Sequence, residues 1–123
     1  MARIGRYAPP LALMALIFLL SAQHNLDSGA GLWGLLLRKA GHIVVFGLLW
    51  LLLWRAFGYE RPGIALAIAV AYAASDELHQ HFVSGRDGTT RDVLIDTAGM
   101  LVAMALALPR APALRALLGP RRA

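Results

Sequence analysis

Residues 62–83 read PGIALAIAVAYAASDELHQHFV. From Gly63 to Ala74 the run is apolar and uncharged, rich in the helix former alanine, and Pro62 is suited to a first helical position. It shows no apolar–polar alternation of the kind a half-buried strand needs. Then the character changes abruptly to Ser75-Asp76-Glu77-Leu78-His79-Gln80-His81. At 1.5 Å per residue, Asp76 lies roughly 20 Å along a helix from Gly63. That depth is still inside a bilayer core about 30 Å thick. Ionisable groups so placed face a protein interior or a wet cavity. The segment therefore predicts a membrane helix whose far end carries a polar site.

The neighbouring runs repeat the pattern. The 123 residues are 59% apolar and only 15% charged, which suits one domain and leaves little for a separate soluble one. The runs predict helices over about 7–23, 38–57, 63–83 and 90–108, each near the length of about 20 residues that one crossing needs. A basic tail follows over 109–123. The fold class is thus an all-α integral membrane bundle of about four transmembrane helices, because lipid-exposed backbone must satisfy its own hydrogen bonds. A cleaved signal peptide is the rival reading of the first run; Leu20-Ser21-Ala22 is a poor cleavage site, and a retained helix is expected. Residues 29–37 either lie at the interface or extend the second helix. With no cysteine, disulfides, thiolate metal sites and cysteine nucleophiles are excluded.

The net charge of +5 is read as a topology signal, since the basic residues lie mostly between and beyond apolar runs and no aromatic-interleaved patch points to nucleic acid. Arg3, Arg6, Arg55, Arg61, Arg110, Arg115, Arg121 and Arg122 fall on one side of a four-crossing chain, and Arg38, Lys39, Arg86 and Arg91 on the other. The positive-inside rule then places both termini in the cytoplasm. Of the acids only Glu60 falls on that side; Asp27, Asp76, Glu77, Asp87, Asp92 and Asp96 fall outside.

Helical spacing gives the outer cluster its faces. Asp76, His79, Gln80 and Val83 share one stripe, with Glu77 beside it. Asp92, Asp96, Gly99 and Ala103 share another, whose small residues let a neighbouring backbone approach. Lys39, His42 and Phe46 share a third. The loop Gly85-Arg86-Asp87-Gly88-Thr89-Thr90-Arg91-Asp92 can present backbone N–H groups to an anion. Arg86, Arg91 and Lys39 add charge suited to phosphate or carboxylate. The plain alternative is that Asp76, Asp92 and Asp96 pair with these cations and only hold the helices together, with His42 a hydrogen-bonding residue. No strong zinc spacing joins His79 and His81 to Asp76 and Glu77, so neither a metal nor another cofactor is expected.

Several of these stretches resemble the VanZ-like family of small bacterial membrane proteins. They are Leu20-Ser21-Ala22-Gln23, Lys39-Ala40-Gly41-His42, Tyr72-Ala73-Ala74-Ser75-Asp76-Glu77-Leu78-His79-Gln80, Phe82-Val83-Ser84-Gly85-Arg86 and Asp92-Val93-Leu94-Ile95-Asp96-Thr97-Ala98-Gly99. Asp96 stands where the family often has Asn, and Ser84 where it often has Pro. The resemblance implies a multi-pass protein of the bacterial cytoplasmic membrane. The family's namesake is associated with reduced susceptibility to the glycopeptide teicoplanin. Three functional readings stand open: recognition of an anionic lipid or cell-wall precursor at the outer polar site, head-group or phosphoryl chemistry on lipids there, or a purely structural bundle. The lipid bilayer is a partner in all three, and the oligomeric state is left open.

Overall fold

The alanines of residues 62–82 decide how the helices meet. In the computed structural model, which describes residues 4–21, 31–82 and 90–118, this segment is one helix, Pro62–Phe82 (α3). Ala65, Ala69 and Ala73 are buried, whereas Ile64 is 46% and Ile68 37% exposed. Small residues inside and large ones outside invert the pattern of a water-soluble helix. They match packing in lipid, where small side chains let backbones approach and bulky ones face the tails.

Three other long helices surround it: Ile4–Ser21 (α1), Gly31–Ala56 (α2) and Thr90–Ala107 (α4). A 3₁₀ turn at Leu108–Arg110 leads into a short helix, Ala111–Leu118 (α5). The described residues contain no strand. Contacts fix the directions. The Tyr7 ring meets Phe57 edge-on, and Phe18 stacks on His79. The Tyr72 hydroxyl donates to the Met14 carbonyl. Thus α1 runs parallel to α3 and antiparallel to α2. His42 meets Asp96 and Gly47 meets Ala103, so α2 runs parallel to α4. The result is an up-down-up-down bundle. Tyr7, Phe57 and Arg115 gather at one end, and His42, His79 and Asp96 at the other.

The α2–α3 connection is built from backbone conformation. Gly58 has φ +71°, its N–H bonds the Arg55 carbonyl, and the Tyr59 N–H reaches back to Trp54. This paired closure is the Schellman motif, in which a left-handed glycine satisfies the last carbonyls of a helix. Tyr59 and Arg61 also have positive φ, 61° and 51°, a cost of roughly 1–2 kcal/mol each for an L-residue. Contacts hold Tyr59 there: its ring lies edge-on against Trp54, and its carbonyl accepts from Arg115 Nη2 at 2.7 Å. Trp50 Nε1 donates to the Pro62 carbonyl at 3.2 Å. With Phe46, Leu49 and Met100, these tryptophans form the buried centre.

Two boundaries are fixed by the structure. Of the two readings of residues 29–37, extension of the second helix is the one seen from Gly31 onward, so the helix starts there rather than near residue 38, because the apolar residues from Leu32 onward continue it without a proline to stop them. The tail expected over 109–123 is helical as far as Leu118. Pro109 sits in the first positions of the 3₁₀ turn and Pro112 near the start of α5, where a missing N–H costs least. Proline therefore starts structure here rather than ending it. Among the described residues one stretch, Val93–Leu117, is long and apolar enough to cross a membrane; the apolar parts of α1 and α2, Ile4–Leu19 and Ala40–Ala56, are shorter.

Candidate functional site

The buried stripe of α3 does not stay apolar. Four residues apart, Ala65, Ala69 and Ala73 lead to Glu77, with Asp76 alongside, and helix period carries both carboxylates into the interior. Asp76 is 4%, Glu77 8% and Asp96 2% exposed. Three buried acids at one end of a bundle require compensating partners, since an isolated buried charge costs several kcal/mol.

One compensation is explicit. His42 Nδ1 lies 3.3 Å from Asp96 Oδ1, joining α2 to α4. The carboxylate side is almost fully buried, while 27% of the His42 side chain stays accessible. When Nδ1–H is donated to the carboxylate, the neutral ring keeps Nε2 as an acceptor. Close backbone packing sets this geometry. A Cβ added at Gly99 would lie 2.9 Å from Ile43 Cγ2 and 3.1 Å from the Ile43 Cα and carbonyl oxygen. Only glycine lets α4 sit this close to α2, one turn from Asp96.

A second arrangement involves α1 and α3. The His79 ring stacks on Phe18 with centroids 4.4 Å apart. Its Nδ1 is buried and lacks a hydrogen-bond partner among the described residues. Below it, Phe46 lies between His42 and Tyr72, with centroids 6.0 Å and 6.4 Å away. Ser75 Oγ donates back to the Tyr72 carbonyl at 2.9 Å, a local bond common for serine within a helix. Sequence reasoning missed Phe18 as the cover of His79. It also missed Tyr72 as the link to α1. Tyr72 stands one turn before Asp76, which was the available signal; Phe18 gave none.

The structure therefore brings together five of the sequence candidates, His42, Asp76, Glu77, His79 and Asp96, at one end. The bond it shows lies across helices, from His42 to Asp96. Lys39, Gln80, Arg91 and Asp92 fall on α2, α3 and α4, but their side chains lie outside the description, and Arg86 lies outside the described residues. Among the described residues no group of three metal-ligating side chains is placed to hold an ion. What the described part offers is hydrogen-bond acceptance by buried carboxylates and a histidine oriented by one of them.

The VanZ/LLP1 family model matches residues 7–114. No curated protein and no solved structure gives a significant match. The family match takes in all four long helices over most of their length, and the chain belongs to the VanZ/LLP1 family.

Proposed function

We propose that this VanZ-like chain is a multi-pass protein of the bacterial cell envelope that recognises an anionic lipid-linked or surface ligand at the acid-rich end of its bundle, and so contributes to glycopeptide (teicoplanin) tolerance. In this reading the four long helices cross the cytoplasmic membrane with both termini inside. Family membership and the apolar stretch Val93–Leu117 support a membrane location. So does the outward display of bulky apolar side chains, among them Leu11, Leu16, Val44, Leu94 and Val102, far more than a soluble monomer exposes. Lys39, Arg86 and Arg91 are the groups that would meet the anion, and Asp76, Glu77, His79 and Asp92 would position them or line the pocket.

The observation that carries this reading is the convergence of buried Asp76, Glu77 and Asp96 with His42 and His79 at one end. Intramembrane ionisable groups gathered in this way mark a site more often than a plain packing contact. The test is a bacterial host expressing wild type, Asp76→Ala, His79→Ala or Arg86→Ala at matched membrane levels, challenged with teicoplanin. Wild-type protection that is lost in folded variants is expected. Protection retained in every variant would overturn the site assignment.

The His42–Asp96 pair favours one second reading, a membrane enzyme acting on lipid head groups or lipid phosphate. A histidine held at Nδ1 by a buried carboxylate has the geometry of an oriented general base. Reconstituted protein incubated with labelled lipid phosphates would then release product, and His42→Gln would abolish release. Unchanged lipids with the wild-type protein would end this reading.

A further inference from the structure

We infer that the opposite end of the bundle holds a second site, a pocket between α1 and the α2–α3 turn that binds a phosphate-ester anion. The pocket has a volume of about 330 Å³ and is lined by Arg6, Tyr7, Ala56, Phe57, Glu60 and Arg61. Two guanidinium groups face it against one carboxylate. No ion pair joins Arg6, Glu60 and Arg61 among the described residues. The Arg6 side chain also has a buried Nε without a hydrogen-bond partner among the described residues. A buried donor of this kind costs free energy unless something accepts from it. The planar, five-donor guanidinium is shaped for the paired oxygens of a phosphate. Arg61 is presented by a positive-φ backbone at the start of α3, and the helix dipole adds positive potential there.

The surroundings favour a lipid as the source of that phosphate. Tyr7 forms part of the wall, edge-on to Phe57 with centroids 6.4 Å apart. It belongs to an exposed stripe with Ile4 at 75% and Leu11 at 60% exposure. That spacing puts all three on one side of α1, so an apolar track leads away from a cationic pocket. A phospholipid has this division: an anionic head for Arg6 and Arg61 and a chain for Ile4, Tyr7 and Leu11. Free phosphate shares only the head.

The experiment titrates the purified full chain in mild non-ionic detergent with three probes: dihexanoyl phosphatidic acid, inorganic phosphate and dihexanoyl phosphatidylcholine, read by calorimetry. Phosphatidic acid should bind saturably, at least about tenfold tighter than phosphatidylcholine. Arg6→Gln and Arg61→Gln should each weaken it about tenfold, the scale of about 1.4 kcal/mol. Inorganic phosphate binding as tightly as phosphatidic acid, with the same loss in the variants, would support the anion site and assign it to free phosphate. Glu60→Gln should tighten binding severalfold, a direction that misfolding cannot imitate. Absence of binding to both anions would overturn the inference, as would equal binding in wild type and both arginine variants, or a Glu60→Gln protein that binds no better than wild type.

Discussion

Replacing Gly99 by alanine tests the packing on which the acid-rich end depends. The new Cβ would stand 2.9 Å from Ile43 Cγ2 and 3.1 Å from the Ile43 Cα and carbonyl oxygen. Carbon atoms settle at about 3.5–4.0 Å, so α4 must retreat from α2 by several tenths of an ångström. Two of the three contacts are backbone atoms, and Ile43 is β-branched and stiff in a helix, so no rotamer change relieves the clash. Overpacking of this kind costs about 1–3 kcal/mol. Against it stands the gain of about 0.5–1 kcal/mol from removing a mid-helix glycine. The expected net is a loss of about 1 kcal/mol, with a span of about 0–2.5 kcal/mol. Gly41→Ala is the matched control, because nothing among the described residues lies within 4 Å of its Cβ; it should gain about 0.5–1 kcal/mol. Gly47→Ala meets Ala103 Cβ at 3.4 Å and should fall between them. Reversible unfolding in mixed micelles measures all three against wild type. If Gly99→Ala proves as stable as Gly41→Ala, the close α2–α4 approach is not what holds the bundle together.

Three further outcomes follow from single contacts. His42→Ala and Asp96→Ala should each destabilise, and the double variant should be less damaging than their sum by roughly 1–2 kcal/mol, the value of a charge-assisted bond; strict additivity in unfolding experiments would mean the pair carries no energy. The Tyr59 hydroxyl is buried without a partner among the described residues, so Tyr59→Phe should be neutral or stabilising by about 1 kcal/mol at pH 7. Burial also raises the Tyr59 pKa, with Arg55 pulling it partly back. The unfolded chain then loses this proton first, and wild-type stability should fall as pH rises above the ordinary tyrosine value of about 10. Unfolding curves from pH 8 upward should show a smaller alkaline loss for Tyr59→Phe; an identical loss would remove Tyr59 as its source. Arg115→Ala deletes the bond to the Tyr59 carbonyl and should cost about 0.5–1.5 kcal/mol, with faster amide exchange at Gly58–Glu60 as its local sign.

What the sequence disclosed was periodic. The stripe Asp96, Gly99, Ala103 predicts both an acid and a backbone approach on one face of α4. Gly99 indeed meets Ile43 and Ala103 meets Gly47. The burial of Asp76 follows from the same logic, because the acids continue the face set by Ala65, Ala69 and Ala73. Pairing across helices was not legible. Nothing in the spacing of α2 and α4 singles out His42 rather than Lys39 on α2 for Asp96, since that choice depends on helix rotation and relative height. The folding of the 109–118 segment was hidden for another reason. Its prolines and arginines resemble a solvated tail, and only the three-dimensional path shows Arg115 reaching Tyr59 and Ala111 and Leu114 packing on the core.

These observations bind the structural and functional readings of the acid-rich end to each other. Asp96 and Gly99 are one turn apart on α4, while His42 and Ile43 adjoin on α2. The tightest backbone contact and the His42–Asp96 pair are therefore neighbouring parts of one surface. Any substitution that separates the helices also lengthens the pair, so loss of activity in a destabilised variant identifies neither role. Asp96→Asn separates them. It keeps the volume and an oxygen acceptor for His42 but removes the charge that fixes an imidazolium or orients a base. If packing is the whole role of the cluster, this variant loses only about 1 kcal/mol of stability, the difference between a charge-assisted and a neutral bond, and keeps its activity at matched folded levels. If the charge serves a ligand or a reaction, the same small loss of stability is accompanied by a fall in activity at matched folded levels. The first result would leave Asp96 a neutral packing residue, and the second would make its charge a working part of the site.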